Sequence, residues 1–283
     1  FNKKERPDFH PKINQFFDYI LPYFPILKDH HLVISSINSF PHSSGIASSA
    51  SAMAALALCV VDFEKQFHPE LGEQDFFKKA SFLARLGSGS AARSIKGPLT
   101  LWGKSPAFQN SSDLYAIPFE SGIHPVFKSY CDTVLIVDRG KKKVSSSVGH
   151  QLMQDHPFAV NRFDQAHKNC ELLKSVLKTG DIEHFIEITE SEALSLHSMM
   201  MTSRPRYILM QPNTLSIINK VWEYRVQTKI PISFTLDAGA NVHLLYPVNE
   251  SDKVITFIKS NLLHYCQSGQ FIEDQVGEGA KKM

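Results

Sequence analysis

Residues 40–50 read Phe-Pro-His-Ser-Ser-Gly-Ile-Ala-Ser-Ser-Ala, and they follow the β-branched stretch HLVISSINSF at residues 31–40. This order predicts a strand over 31–40, a loop of Pro, Ser and Gly over 41–45, and a small-residue helix over 47–64. Small side chains allow backbone N–H groups to approach an anion, and a helix N-terminus adds the positive end of its dipole. The segment therefore predicts a phosphate-binding loop, with an ordinary N-cap before a tightly packed helix as the alternative.

A second loop of Ser and Gly, GSGSAARS, occupies residues 87–94 at the end of a helix predicted over 73–87. It leads into a short helix predicted over 91–95, in which Arg93 lies about one turn from the loop. A guanidinium in such a place can hold a carboxylate or a phosphate by two parallel hydrogen bonds. A flexible turn with a surface arginine is the alternative that the sequence leaves open.

A third segment, FTLDAGAN, occupies residues 234–241 and joins two predicted strands. Asp237 stands at the end of the first of these strands, where its carboxylate could be held in a partly buried turn. Such a group could orient or deprotonate a hydroxyl of a substrate. An ordinary aspartate in a β-turn is the alternative, because Asp is frequent in turns.

Composition excludes several classes of protein. The chain has 283 residues, of which 43% are hydrophobic and 20% charged, so it can bury a substantial core and is not globally disordered. Its formal net charge is +2, which gives no indication of a nucleic-acid partner. No apolar run reaches the roughly 18 residues that a membrane span needs, so no membrane partner is expected. The four widely spaced cysteines predict reduced thiols in a cytosolic protein.

The order of the predicted elements gives the fold class. Helices are also predicted over 11–24, 158–178, 181–198, 214–228 and 252–266, and strands over 99–103, 115–119, 132–138, 232–236 and 242–247. Strands dominate the earlier part of the chain and helices the later part, which predicts an α+β protein with a boundary near residue 145.

Other common catalytic patterns are missing from the sequence. The thirteen histidines contain no H-E-x-x-H pattern, so we expect them to be structural or at the surface rather than metal ligands. No G-x-S-x-G elbow is present, which disfavours a serine hydrolase of the usual kind.

Taken in order, the three segments resemble the GHMP small-molecule kinase superfamily, and within it the diphosphomevalonate decarboxylase family. That family carries an F-P-x-x-x-G-x-A-S-S-A run, a G-S-G-S-A-x-R-S run and a T-x-D-A-G-x-N run. Here they stand at residues 40–50, 87–94 and 235–241, and a V-S-S turn follows the family pattern at 144–146. Each motif is moderately specific, and the three in this order are strongly specific. The resemblance covers nearly the whole chain.

The resemblance implies a GHMP kinase-like fold of two parts. Residues 1–144 would form a ribosomal-protein-S5-like β/α domain that holds the phosphate loop and lacks its first strands. Residues 145–283 would form a ferredoxin-like α/β domain. The family usually opens with an A-x-x-K-Y-W-G-K segment whose Lys and Tyr contact substrate. Nothing in this sequence matches that segment, so we expect it to lie outside this chain.

The resemblance also implies an activity, the ATP-dependent decarboxylation of mevalonate 5-diphosphate to isopentenyl diphosphate in isoprenoid biosynthesis. ATP would phosphorylate the 3-hydroxyl, and phosphate would then leave as CO₂ is released. It implies ATP and Mg²⁺ as cofactors, a homodimer and a cytoplasmic location.

By the same resemblance, Asp237 would act as base or orienting group at the 3-hydroxyl, and Arg93 would hold the substrate carboxylate. The implied substrate-binding residues are Ser88, Ser90, Ser145 and Ser146. The implied ATP-phosphate residues are Ser44, Gly45, Ala47, Ser48 and Ser49, with Ser49 also as a Mg²⁺ contact.

Three alternatives remain open at this point. The first is a related decarboxylase that acts on mevalonate 5-phosphate, and the second is a small-molecule kinase that does not decarboxylate. Asp237 together with Arg93 disfavours the kinase, because decarboxylation needs both a carboxylate clamp and a partner for the hydroxyl. The third alternative is a nucleotide-binding protein without turnover.

Overall fold

The computed structural model describes residues 5–40, 47–119, 122–140, 149 and 151–282. These residues form two compact units. The first contains residues 5–40, 47–119 and 277–282, and the second contains 122–140, 149 and 151–276. Among the described residues, none of the helices has the length and apolar character that a membrane crossing requires.

The first unit is built mainly from helices. Its elements are α1 (His10–Ile20), α2 (Ser48–Lys65), α3 (Glu73–Gly87), the 3₁₀ turns Pro7–Phe9, Leu21–Tyr23, Pro25–Asp29 and Gly89–Ser94, and the antiparallel strands β1 (Thr100–Leu101) and β2 (Ile117–Pro118). Helix α3 has the bounds that the sequence predicts, since Glu73 and Asp75 are favourable at its N-terminus and Arg85 at its C-terminus.

Small residues allow α2 to pack closely in the core of this unit. Ala50, Ala54 and Ala57 are buried along one side of the helix, and they share a core with Leu83 of α3 and Ala91 of the 3₁₀ turn Gly89–Ser94. This shared core fixes the start of α2 relative to the second Ser and Gly loop.

The strand predicted over residues 31–40 is not formed. Residues 31–38 have no regular secondary structure, and Val33 is 99% exposed. Branched side chains favour an extended backbone, but a strand is stabilised by hydrogen bonds to a neighbour. In the described part of the chain no strand pairs with this segment.

The second unit is a four-stranded antiparallel sheet with helices. Its strands are β3 (Cys131–Leu135), β4 (Ser233–Thr235), β5 (Val242–Tyr246) and β6 (Phe271–Gln275), in the order β4-β5-β3-β6. Its helices are α4 (Pro125–Lys128), α5 (Ala159–Thr179), α6 (Ile182–Thr202), α7 (Pro212–Thr228) and α8 (Ser251–Phe257), which continues as a π turn at Ile258–Leu262 and a 3₁₀ turn at Leu263–Tyr265. Two further 3₁₀ turns lie at Val248–Glu250 and Gln267–Gly269.

Strand alternation gives this sheet an apolar face. Phe234, Val242 and Leu244 are fully buried in one core, together with Ile217 of α7 and Val254 of α8. The residues between them, such as His243, lie on the opposite face of the sheet. The core therefore fixes β4 and β5, and with them the turn over residues 237–241 that joins them.

The predicted strands in this unit are confirmed with shifts at their ends, and the paired β4 and β5 confirm the expected hairpin-like arrangement. Strand β6 was not predicted. It lies at the edge of the sheet, and the last three residues of its sequence FIEDQ are polar and exposed. The strand therefore lacks the alternation of apolar and polar residues from which a strand is predicted. The mixture of helices and an antiparallel sheet agrees with the predicted α+β class.

The boundary between the two compact units lies earlier in the sequence than the expected domain boundary between residues 144 and 145. Strand β3 pairs with β5 and β6, so residues 131–135 belong to the second unit. The limit at 144 and 145 stays a prediction about the two family domains.

Candidate active site

The N-terminus of α2 has the features of an anion site. Its N-cap residue Ala47 has φ 56° and ψ 24°, a left-handed conformation that non-glycine residues seldom adopt, and it supplies no side-chain acceptor to the helix. Ser48 is buried and Ser49 is half-buried behind it. The N-cap therefore leaves the start of α2 without a side-chain cap of its own, and the positive end of the helix dipole there favours an anion. Ser44 and Gly45, predicted for the same site, lie outside the described residues.

Lys12 is a functional candidate that the sequence did not indicate. It lies on α1, and its Nζ donates to Ser49 Oγ at 2.5 Å. Burial lowers the pKa of Lys12, and no carboxylate of the described residues forms an ion pair with it. A cation at the positive end of a helix dipole is unfavourable without an anion. The two partners are 37 positions apart in the sequence, which explains why no local pattern of residues indicated their contact.

The second predicted segment forms the 3₁₀ turn Gly89–Ser94 rather than a helix over 91–95. Ala91 and Ala92 are buried, Ser88 and Ser90 are half-buried, and Arg93 is exposed. Two hydroxyls hold the turn by its backbone: Ser81 Oγ donates to the Ala92 carbonyl at 2.8 Å, and Thr100 Oγ1 donates to the Arg93 carbonyl at 3.1 Å. The small alanines thus anchor the turn while the guanidinium of Arg93 points away from the core.

Asp237 follows β4 and lies at an exposed position, at the start of the turn to β5. Its backbone carbonyl accepts hydrogen bonds from two directions. The Gly239 N–H donates to it at 2.7 Å, and Nε2 of His197 on α6 lies 3.1 Å from it. These hydrogen bonds hold the backbone of Asp237 in place, and a carboxylate held in this way can orient or deprotonate a hydroxyl.

His243 and Asp132 form an ion pair on the sheet next to this turn. His243 pairs across the sheet with Thr235, two residues before Asp237. Its Nδ1 lies 3.0 Å from both carboxylate oxygens of Asp132. Burial lowers the pKa of His243, but the hydrogen bond that its ring donates to Asp132 and the charges of Asp132, Asp237 and Asp274 outweigh burial and raise it.

The structure therefore distributes the predicted residues over the two units. Helix α2 with Ser48 and Ser49 shares a core with the turn that carries Ser90 and Arg93. Asp237 belongs to the second unit, and the predicted substrate-binding residues Ser145 and Ser146 lie outside the described residues. The site roles of all these residues stay predictions.

Histidines were expected to be structural or at the surface rather than metal ligands, and two of them lie at the Asp237 turn. His197 is 1% exposed and His243 lies on β5. Only the sheet register and the packing of α6 bring them there, so no sequence pattern could have found them. Within the described ranges, no group of three or more His, Cys, Asp or Glu residues is arranged to hold a metal ion.

Two family models match the chain in succession. The diphosphomevalonate decarboxylase-like N-terminal domain matches residues 1–114. The mevalonate 5-diphosphate decarboxylase C-terminal domain matches residues 133–282, which is more than half of the 283 residues.

Curated relatives agree with these models. The diphosphomevalonate decarboxylase of Candida albicans is 29% identical over 247 residues, which cover 86% of this chain and 65% of that protein. The phosphomevalonate decarboxylase of Haloferax volcanii is 26% identical over 227 residues, which cover 80% of this chain and 65% of that protein. The chain thus spans slightly less than two thirds of the length of these relatives.

Solved structures have the same fold. The mevalonate diphosphate decarboxylase from Staphylococcus aureus superposes with a TM-score of 0.76 at 27% identity, over 98% of this chain and 78% of that one. A structure of MDDEF in complex with MVAPP, AMPPCP and magnesium gives a TM-score of 0.75 at 25% identity, over 97% of this chain and 79% of that one. These matches confirm the expected GHMP kinase-like fold, and with the two family models they establish that the chain belongs to the diphosphomevalonate decarboxylase family.

Proposed function

We propose that the protein catalyses the ATP-dependent decarboxylation of mevalonate 5-diphosphate to isopentenyl diphosphate, ADP, phosphate and CO₂. The observation that carries this proposal is the match of both family models in succession, together with the three sequence motifs. The structure of MDDEF with MVAPP, the ATP analogue AMPPCP and magnesium supports the same pair of substrates for a related fold.

In this proposal Asp237 acts at the 3-hydroxyl of the substrate. Its carboxylate accepts or orients the hydroxyl proton while the hydroxyl oxygen attacks the γ-phosphorus of ATP, and ADP leaves. The new phosphate then departs with the electron pair of its bond to carbon 3. The electron pair of the bond between carbons 1 and 2 forms the double bond between carbons 2 and 3, and carbon 1 leaves as CO₂.

Arg93 holds the substrate carboxylate before that bond breaks. A guanidinium can grip both carboxylate oxygens and keep the bond to carbon 1 aligned with the departing phosphate. Ser88 and Ser90, at the start of the same turn, bind the substrate, with Ser90 nearer its diphosphate. Ser145 and Ser146 are further candidates for binding the diphosphate.

The N-terminus of α2 binds the phosphates of ATP. The start of α2 supplies the positive end of the helix dipole, and Lys12 adds a positive charge beside Ser49. Ser49 Oγ would supply an oxygen ligand to Mg²⁺, which keeps several waters and takes other ligands from substrate phosphates. When bound, Mg²⁺ neutralises charge on the transferring phosphates.

Mevalonate 5-phosphate is a second candidate substrate. The specific observation in its favour is the similarity to the phosphomevalonate decarboxylase of Haloferax volcanii, at 26% identity. Both candidates share the chemistry at carbons 1 and 3, and they differ only in the charge at the 5-position.

The test supplies both substrates side by side to the complete gene product with Mg-ATP and follows ADP and CO₂. Equal amounts of ADP and CO₂ from the diphosphate are expected, and a preference for the monophosphate would establish the second candidate. ADP without CO₂ would instead indicate a kinase, and neither product would indicate a nucleotide-binding protein.

The protein is further proposed to be a homodimer and to be located in the cytoplasm. The dimer rests on the family resemblance alone and is tested by light scattering. The location is supported by the cysteines, since Cys59, Cys131, Cys170 and Cys266 are all free thiols, as expected in a reducing compartment.

A further inference from the structure

His197 contacts the backbone of Asp237 itself. Its Nε2 lies 3.1 Å from the Asp237 carbonyl oxygen. A carbonyl oxygen can only accept, so Nε2 must carry the proton and the ring must donate. The ring is 1% exposed on helix α6, so packing fixes its position. Burial also lowers the pKa of His197, which keeps the ring neutral and leaves its proton on Nε2.

Two further side-chain contacts hold the far end of the turn. Thr214 Oγ1 donates to the Ala240 carbonyl at 2.6 Å. The backbone N–H of Asp138 donates to Asn241 Oδ1 at 3.0 Å. These two contacts fix residues 240 and 241, and His197 contacts the other end of the turn, which carries Asp237.

We propose that His197 is a positioning residue that fixes the carboxylate of Asp237 by holding its carbonyl. This rests on the proposed function, in which that carboxylate acts on the substrate hydroxyl. A fixed carbonyl fixes the peptide plane after Asp237, and with it the direction in which the side chain leaves the backbone. A misplacement of about 1 Å at a reacting group can cost on the order of 100-fold in rate.

The experiment compares three variants of the complete gene product. His197→Leu removes the donor, and His197→Gln keeps an amide N–H that can reach the same carbonyl. His156→Leu is the matched control, since His156 is also buried in this unit, but its ring nitrogens face Thr202 Oγ1 and the N–H of Phe158. Two quantities are measured: hydrogen exchange of the amides of residues 236–242, which needs no turnover, and the separate values of kcat and KM.

His197→Leu is expected to speed amide exchange in residues 236–242 and to lower kcat about 10- to 100-fold, with KM changed less than about threefold. His197→Gln should restore slow exchange and most of kcat, and His156→Leu should leave both unchanged. Unchanged exchange in His197→Leu would overturn the proposal. So would an equal loss of kcat in His156→Leu, since that would reflect a general effect on the fold.

Asp237→Asn, measured in parallel, separates this inference from the proposed function. If that variant keeps normal turnover, the role assigned to Asp237 fails, and the catalytic importance of His197 fails with it. If Asp237→Asn abolishes turnover and His197→Leu does not reduce it, only the positioning role of His197 is overturned.

Discussion

Asp237 carries the chemical step of the proposed reaction, so its removal should affect rate rather than binding. Asp237→Asn keeps the size of the side chain and removes the carboxylate charge. We expect kcat to fall about 10²- to 10⁴-fold with little change in KM, because the group acts in the transition state. Stopped assays of ADP and CO₂ measure this. Asp252→Asn, an exposed aspartate in the first turn of α8, is the control and should be neutral. Near-normal turnover in Asp237→Asn would remove it from the mechanism.

Arg93 is expected to act through the shape of its guanidinium as well as its charge. Arg93→Lys keeps the charge but cannot make two parallel hydrogen bonds to a carboxylate. We expect a severe loss of decarboxylation in a CO₂-release assay. Arg85→Lys is the control in the same unit, because Arg85 Nε donates to a backbone carbonyl, that of Leu114 at 2.9 Å, rather than to a carboxylate. Decarboxylation at the normal rate by Arg93→Lys would exclude the clamp.

Lys12 is expected to contribute to the binding of ATP rather than to the binding of the substrate that loses CO₂. Lys12→Met removes the cation beside Ser49 and keeps most of the apolar stem. We expect the Kd of Mg-ATP to rise about 5- to 50-fold, because the loss of one charged contact removes about 1–2 kcal/mol of binding free energy. Calorimetric titration with a non-hydrolysable ATP analogue measures it. Lys28→Met, an exposed lysine of the same unit, should bind normally. An unchanged Kd in Lys12→Met would show that this lysine does not face the phosphates.

Helices α5 and α6 depend on a single glycine for their connection. Gly180 ends α5 with φ 82°, a left-handed conformation, and its N–H donates to the Val176 carbonyl at 3.0 Å. A Cβ here would lie 2.5 Å from Nδ1 of His124. Gly180→Ala should therefore lower the free energy of unfolding by at least about 1 kcal/mol. Urea denaturation measures this change.

A matched glycine tests whether the effect belongs to this conformation. A Cβ on Gly277 would meet nothing within 4 Å, so Gly277→Ala should change the free energy of unfolding by less than about 0.5 kcal/mol. An equal loss in both variants would mean that the left-handed geometry at Gly180 is not the cause.

The ion pair of His243 and Asp132 should make the stability of the whole molecule depend on pH. The folded state raises the pKa of His243 above its ordinary 6.5. Its contribution to stability is therefore complete below pH 6.5 and is lost as the pH rises through the raised value. Asp274 of β6 and Asp237 of the turn add to the negative charge that the ring meets.

Asp132→Asn removes the partner of His243 and should destabilise the protein more at about pH 6 than at about pH 9. Urea unfolding of the natural protein and the variant at both pH values gives the difference. An equal loss at the two pH values would show that Asp132 stabilises the fold without the charge of His243.

Elements with strong local signals could be predicted from the sequence. The acidic start of α3 and the glycine after α5 gave helix bounds that the structure reproduces or nearly reproduces. The segment over residues 31–40 and strand β6 could not be predicted in this way. Whether a strand forms depends on a partner elsewhere in the chain, and the local preference of residues such as Val33 does not supply one.

Motifs whose residues are close together in the chain were enough to predict the family and to identify Asp237 and Arg93 as candidates, and the order of the predicted elements indicated the α+β class. Only the tertiary structure decided which side chains support them. His197 reaches Asp237 across 40 residues and Lys12 reaches Ser49 across 37. Such contacts depend on how helices pack and how strands align. Packing of this kind is a property of the whole core, so no local pattern of residues records it.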